Sequence, residues 1–409
     1  MKSFLFLLSL ILLFICLQFV QAQEMPAYHW GESPAKWGVE LLKEKDAPLN
    51  IRMGARLHTV ARYSDQKVAH SSKRTNLQDF YARRVRLQFE ANFKEGIKYY
   101  MDLRNDDANK EDLGEKTFNI GDAYVEVKRP WGIESMKLRA FRAKVNVSRS
   151  ETVSSSQIIL LDRSFIADEA AQYVSHNRRA TNVQLMGHLH KKLQYQVVIG
   201  DGVHADKFHD AKAAKLAVGS VKNQDLMYGA KLRFSPLKDF EDDQLSETYL
   251  GRGQHLSFGL GYFKTGGIEY AATLYTGKTS RELMVADVST HYKNLFVQAE
   301  YFKFNGVVQS FSAATENKGS SDGWYAQAEY VLPQLSYIAP FVRVENWNRF
   351  RSLAQYQLKS FVSGLTWYLK GDSARFGIFY QKDDYQDNIL LSSKYASNQQ
   401  VKLTTMWLF

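Results

Sequence analysis

Cysteine is almost missing from this chain: its one copy, Cys16, sits inside the first apolar stretch, so disulfides do not hold the mature protein together. Long apolar runs are equally scarce after that stretch. Beyond Ala22 no segment approaches the ~18 consecutive apolar residues that a membrane-spanning helix needs. What remains is a soluble exported protein or a membrane barrel. Proline is rare, seven residues against 23 Tyr and 25 Phe, and the decision between those two classes falls to periodicity.

The first residues set the compartment. Met1-Lys2 is a short positive start, residues 4–20 are almost uninterruptedly apolar, and Val20-Gln21-Ala22 supplies a cleavage site, so 1–22 is read as a signal peptide with the mature chain starting at Gln23. Leu13-Phe14-Ile15 lacks the small residue that a lipoprotein site places before its cysteine, and Cys16 leaves with the leader. The mature chain then carries 52 basic and 43 acidic residues, a net charge of +9. Export argues against nucleic acid as the partner, which leaves anionic lipid head groups and anionic solutes.

Alternation is the positive signal. From 51 to 63 the odd positions are Ile51, Met53, Ala55, Leu57, Thr59, Ala61 and Tyr63, while the even ones include Arg52, Arg56, His58 and Arg62. Val85, Leu87, Phe89, Ala91 and Phe93 alternate with Arg84, Arg86, Gln88, Glu90 and Asn92. Ile97, Tyr99, Met101 and Leu103 then alternate with Lys98, Tyr100, Asp102 and Arg104, after a three-residue reversal at 94–96. One face is greasy and the other basic, as in a strand with lipid on one side and a wet lumen on the other.

Further strands are expected at 118–128, 135–147, 181–190, 193–200, 226–235, 255–265, 284–292, 295–304, 323–331, 339–349, 357–368, 374–382 and 398–409. The total is about sixteen. Short links (94–96, 129–134, 191–192, 293–294, 369–373) take turns with long ones (64–76, 105–117, 148–180, 201–225, 305–322), the asymmetry of outer-membrane barrels. One link, 236–254, is long for its place on the short-link side. Residues 23–48, with Trp30 and Trp37, show no alternation and read as a periplasmic N-terminal extension ahead of a barrel domain over 49–409. The terminal Trp407-Leu408-Phe409 offers the aromatic end that the outer-membrane assembly machinery reads.

Four segments resemble the phosphate-selective porins of the O and P type. Gly54-Ala55-Arg56-Leu57 is similar to the family's opening strand, and Arg83-Arg84-Val85-Arg86-Leu87-Gln88-Phe89-Glu90 to its arginine-rich second strand. Asp122-Ala123-Tyr124-Val125-Glu126 resembles its fourth. Phe141-Arg142 through Glu151, Ser154-Ser155 and Asp162-Arg163-Ser164 resemble the approach to its third loop. Where the family shows Gly before the Phe and Lys after it, this chain has Arg139-Ala140-Phe141-Arg142. The resemblance implies an outer-membrane homotrimer of sixteen-stranded antiparallel β-barrels, each narrowed by an inward-folded third loop. Here that loop spans 148–180 and carries Arg149, Arg163, Arg178 and Arg179.

The function expected is a water-filled, anion-selective channel for passive diffusion of phosphate or related oligoanions. The alternatives are a general porin and a non-conducting surface-binding barrel. Pore-lining candidates are Arg52, Arg56, Arg62, Arg84, Arg86, Lys98, Arg104, Arg139, Arg142, Lys144, Arg149 and Arg163. Arg suits the task because its planar fork matches phosphate oxygens and its charge does not titrate away. Inward Glu300, Glu329 and Glu345 on later strands suggest a transverse field, basic on one wall and acidic on the other. Arg83, of the outward parity, is expected at the membrane rim or in a subunit contact.

No enzyme site is expected. His188 and His190 share a strand face without a third metal ligand, Ser175-His176-Asn177 lacks the separation that a nucleophile and its base require, and Gly200-Asp201-Gly202 does not open a helix. No cofactor is called for. If period-two alternation is the right reading, the chain lacking residues 1–22 refolds only with an amphiphile and gives a strand-dominated circular dichroism spectrum; a mainly helical spectrum, or solubility without amphiphile, would overturn it.

Overall fold

Strands with one apolar face can cross a bilayer only as a closed sheet, because an open edge would leave backbone N–H and C=O groups without partners in lipid. That closure is what the chain adopts in a computed structural model, which describes residues 39–42, 48–68, 71–108, 110, 117–160, 162–174, 179–202, 221–237, 246–250, 254–270, 278–311, 316–348, 357–385 and 395–408. Sixteen antiparallel strands form the wall. The first eight are β1 (Leu49–Val68), β2 (Arg74–Phe93), β3 (Ile97–Ala108), β4 (Asn119–Lys128), β5 (Met136–Arg142), β6 (Thr181–His190), β7 (Leu193–Gly200) and β8 (Met227–Phe234). The rest are β9 (Gln254–Tyr270), β10 (Lys278–Tyr292), β11 (Leu295–Phe311), β12 (Glu316–Tyr330), β13 (Ile338–Asn348), β14 (Gln357–Tyr368), β15 (Ala374–Tyr385) and β16 (Tyr395–Leu408). Each pairs with the next, and β16 closes on β1 from Leu408↔Arg56 to Tyr395↔Val68.

Two short segments supplement the wall. Val39–Leu42 pairs with Ile51, Arg52 and Met53 of β1, just beyond the point where β16 ends at Leu408. It covers strand edge that the last strand leaves open. Four residues are too few to display a period, so alternation did not mark this strand within 23–48. Val221–Asn223 likewise pairs with the far end of β9.

The outward face explains the membrane fit. Along β10 the outward positions run Tyr292, Thr290, Val288, Ala286 and Met284 before Glu282, which pairs with Lys264 at 2.9 Å. Ten residues of strand cover about 33 Å, or roughly 25 Å across the membrane at the usual tilt, the height of a barrel's apolar band. Trp367, Phe376 and Trp407 cluster on the outside near the chain end, Phe376 meeting Trp407 edge-on at 5.8 Å. Several strands overrun their expected ends. β1 and β2 continue through 64–67 and 74–80, and β11 and β12 through 305–311 and 316–322. There neither face is consistently apolar, so the chain keeps its ladder beyond the lipid without keeping its pattern.

β5 is instead shorter than expected, ending at Arg142, because the chain turns into the lumen. Loop 3 therefore spans 143–180 and not 148–180. It contains two helices, α1 (Arg149–Thr152) and α2 (Phe165–Val174). Ser148 caps α1, its Oγ accepting from Glu151 N at 3.3 Å, and Ser164 Oγ accepts from Ala167 N at 3.2 Å. The wall satisfies further helix donors. Glu300 on β11 accepts from Arg149 N and Ser150 N, both at 2.9 Å, and from Ser148 Oγ at 3.1 Å. Glu345 on β13 accepts from Phe165 N at 3.1 Å and Ile166 N at 3.2 Å. At the other end of α2, Arg281 donates to the Tyr173 carbonyl at 3.4 Å, and its guanidinium lies 4.8 Å from the Tyr173 ring.

The face of α2 carrying Ile166, Ala170 and Val174 packs on Phe263, Leu283, Phe302, Phe304 and Trp347, inward residues of β9 to β13. Each large aliphatic side chain so buried contributes roughly 1.5–3 kcal/mol. Loop 3 is thus a small core inside the barrel, built on one wall. Glu345→Ala should leave two helix donors unsatisfied, at a cost of about 2–6 kcal/mol to docking of α2. Hydrogen exchange across 165–174 should accelerate while the strands stay protected, and Glu345→Gln, which keeps an acceptor, should be milder.

Candidate functional site

Opposite the loop-bearing wall, β1 to β5 present the basic face. Even residues of β1 point inward throughout, and those of β2 do so from Arg84 to Glu90. Direct register places Arg56 opposite Arg86, and Arg86 opposite Arg104. Three guanidinium groups therefore share one level on three adjacent strands, spaced by about 4.8 Å per strand. Like charges set directly opposite destabilise a sheet. The neighbours reduce that cost: Asp106 pairs with Arg86 at 2.9 Å and Arg104 at 3.7 Å, and Asp102 lies 3.8 Å from Arg86.

Arg56 is served by neutral groups, donating to Ser155 Oγ at 2.5 Å, Ser154 Oγ at 3.2 Å and Gln88 Oε1 at 3.3 Å. Those serines arrive from loop 3, so the loop crosses from the far wall to the arginine level. A second contact repeats the crossing. Asp162 of loop 3 pairs with Lys402 of β16 at 2.8 Å and Arg83 of β2 at 3.0 Å, and its carbonyl accepts from Arg343 at 2.9 Å. Burial alone would raise the Asp162 carboxyl, but Lys402 and Arg83 outweigh it and hold the group well below the usual carboxylate range.

The twelve sequence candidates divide into groups. Arg52, Arg62, Arg86, Lys98, Arg104 and Arg139 face the lumen and keep contact with water, from 11% side-chain exposure at Arg86 to 26% at Arg139. Lys144 also keeps some, but it belongs to loop 3 and pairs with Glu151 at 3.1 Å. Arg56 and Arg84 point inward yet are only 3% exposed. Arg163 is tied into loop 3 itself, to the carbonyls of Ser150 at 2.9 Å and Val153 at 2.6 Å and to Glu151 at 3.3 Å.

Two candidates depart from expectation altogether. Arg149, at the start of α1, is fully buried against the opposite wall, donating to Gln298 at 3.1 Å and Tyr249 at 3.2 Å. Arg142 sits on the outward parity of β5 and caps the carbonyls of Ile120 and Gly121, both at 2.8 Å. Arg139 and Arg142, three apart on one strand, cannot share a face. Of the loop arginines, Arg179 pairs with Asp122 at 2.5 Å, and Arg178 lies outside the described residues, as do Ser175-His176-Asn177, residues 1–22 and Phe409.

Arg83 is another correction. His58 pairs with Arg84 but Thr59 with Ala82, so Arg83 is the extra residue of a bulge. The bulge releases it from strict alternation, and it reaches Asp107 at 3.2 Å as well as Asp162. The expected acidic wall is also different in kind. Glu300 and Glu345 face inward but are taken up by loop 3 donors, and Glu329 accepts from the Tyr368 hydroxyl at 2.7 Å. All three are buried, Glu300 and Glu345 under loop 3 and Glu329 against Tyr368, so this acidic side is screened from water.

Acids stand beside the cations on the basic side. Asp79 pairs with Arg62 at 3.0 Å, Glu90 with Lys98 at 2.7 Å, and Glu126 with Arg139. Asp106 lies in 105–117, expected to be a link, because β3 runs on to Ala108. One signal for the loop-bearing wall was present: Leu283-Met284-Val285-Ala286 is apolar on both parities, as a strand covered on both faces must be.

The comparisons agree with this architecture. In solved structures the chain resembles an anion-selective porin from Comamonas acidovorans (TM-score 0.58, 12% identity, 88% of this chain and 100% of that one). It also resembles the outer-membrane channel DcaP of Acinetobacter baumannii (TM-score 0.55, 12% identity, 91% and 100%). A relative in Aquifex aeolicus (strain VF5), an uncharacterized protein, is 24% identical over 332 residues, 73% of this chain and 74% of its own length. The family profile for phosphate-selective porin O and P matches residues 51–408. With a closed sixteen-stranded wall, an inserted third loop and that match over nearly the whole chain, the protein belongs to the phosphate-selective porin O and P family, an outer-membrane porin channel and not an enzyme.

Proposed function

We propose that the channel is anion-selective and passes phosphate-like oligoanions by passive diffusion along the β1–β5 side of the lumen. The observation that carries this reading is the Arg56–Arg86–Arg104 row, three directly opposed cations at the level where Ser154 and Ser155 arrive. Like charges set across a ladder cost stability, and the carboxylates beside Arg86 and Arg104 offset that cost only in part. In a narrow lumen the row concentrates anions and repels cations. Lys98 and Arg139 towards the turn end, and Arg62 towards the loop end, extend the basic path along the wall.

A specific observation favours a second, broader reading. Water-contacting cations of this path have carboxylate neighbours, as in Lys98–Glu90, Arg62–Asp79 and Arg86–Asp106. Interleaved acids weaken the hold on any one anion and speed its release, which suits a general anion route more than tight phosphate capture. The anion selectivity named for the Comamonas acidovorans structure is consistent with either. The same reading takes residues 1–22 as a cleaved leader, Phe409 as a contact for the assembly machinery, lipids around the apolar band, a homotrimer as the assembly, and the turn end as periplasmic.

Reversal potentials in a salt gradient across a planar bilayer test the sign, and titrating the chloride current with phosphate and then pyrophosphate tests the solute. Anion preference with block by phosphate supports the specific reading; anion preference without block leaves the general one; cation preference removes both. Arg86→Glu with Arg104→Glu should lower anion preference roughly thirtyfold, at about 1 kcal/mol of Coulomb energy per reversed charge in a wet lumen. Asp106→Asn should act oppositely, raising anion preference by releasing Arg86 and Arg104 from their shared carboxylate.

A further inference from the structure

The connection between β8 and β9, residues 235–253, is long at an end of the barrel where the other links have seven residues or fewer. Its described stretch 246–250 does not lie outside the barrel end. Glu247, Thr248 and Leu250 are almost fully buried, and the contacts run in two directions. Towards loop 3, Glu247 N donates to the Gln157 carbonyl at 2.9 Å, and Glu247 Oε2 accepts from Ile159 N at 3.0 Å. Arg149 adds bonds to the Ser246 carbonyl at 3.4 Å and the Tyr249 hydroxyl at 3.2 Å.

Towards the wall, the Tyr249 ring stacks on His291 at 4.6 Å and lies against His255 at 4.5 Å and Phe296 at 5.8 Å. Thr248 Oγ1 donates to Asp372 Oδ1, in the link between β14 and β15, at 2.6 Å. The stretch is therefore strung between two regions of the barrel wall, with its middle clasped to loop 3. Gln157 belongs to the same turn as the serines that touch Arg56, closed by Gln157 N donating to the Ser154 carbonyl at 2.8 Å. A continuous line of polar contacts leads from Glu247 through 154–159 to the arginine row.

We infer that residues 246–250 form a second constriction element, a strap entering from the barrel end opposite to loop 3. Glu247 is its positioning residue: it satisfies two main-chain groups of loop 3 and so fixes where Ser154 and Ser155 stand on Arg56, and with them the bore of the anion route. Two elements, one from each end and bonded to each other, then set the narrowest level. The inference rests on the channel reading for its consequence in conductance, but not for the placement of the strap.

Single-channel recording with chloride as carrier tests it. Glu247→Ala removes the acceptor for Ile159 N and should shift the balance between a narrow and a wider level about tenfold, the effect of losing one charge-assisted bond, with anion preference kept. Glu247→Gln retains a carbonyl acceptor and should stay close to wild type. Traces of Glu247→Ala indistinguishable from wild type, in a barrel that keeps its heat-shifted gel mobility, would overturn the inference. A Gln157→Cys, Glu247→Cys pair tests placement separately, with no competing thiol after Ala22. Oxidation should form the disulfide and suppress the wider level; failure to form it overturns the strap even if Glu247→Ala does not assemble. A disulfide in a barrel that never conducts, wild type included, would uphold the strap and sink the channel reading instead.

Discussion

Two buried carboxylates, Glu300 and Glu345, organise the lumen by accepting the unpaired amides at the starts of α1 and α2. A helix end carries N–H groups with no partner in the helix, and burying them without acceptors costs about 1–3 kcal/mol each. A loop crossing a wet lumen could leave them to water. Docked against an apolar inner wall it cannot, so acceptors must stand where the helices begin. The apolar contacts of α2 with Phe263, Phe302 and Phe304 supply the attraction, and the carboxylates set orientation and register.

From that docking the division of the interior follows. The β9–β13 side becomes a core, with Arg149, Glu300 and Tyr325 as dry as any residue of a soluble protein. Water keeps its contacts on the β1–β5 side, where Arg139, Lys98 and Arg52 remain partly exposed. Loop 3 also touches this side, through Ser155 on Arg56 and Asp162 on Lys402 and Arg83. It is a span held at both walls, which suits a constriction that must stay in place while ions pass.

The wall itself was legible because a barrel strand writes its two environments on alternate residues. β2 from Arg84 to Glu90 and β3 from Lys98 to Arg104 carried enough contrast to place both strands and the turn between them. The reading weakened wherever contrast weakened: beyond the membrane, where β1 and β11 continue with polar residues on both faces, and on β10, where Leu283 and Val285 are apolar inside. It failed at Arg83 because one bulged residue resets the parity of everything before it. Among the site residues, Arg86, Lys98 and Arg104 were reachable by parity alone. Arg149 and Arg163 were not, since a loop has no period from which to infer direction.

Composition and period alone determined that this chain builds a closed, two-faced wall with about sixteen crossings and a basic early half, because lipid accepts no other use of alternating residues in segments this short. Which cations meet water, which acids are spent on helix ends, and that residues 246–250 turn inward were decided only by tertiary structure. Those properties depend on which side chains from distant strands compete for the same enclosed space, and nothing in local sequence records the outcome of that competition.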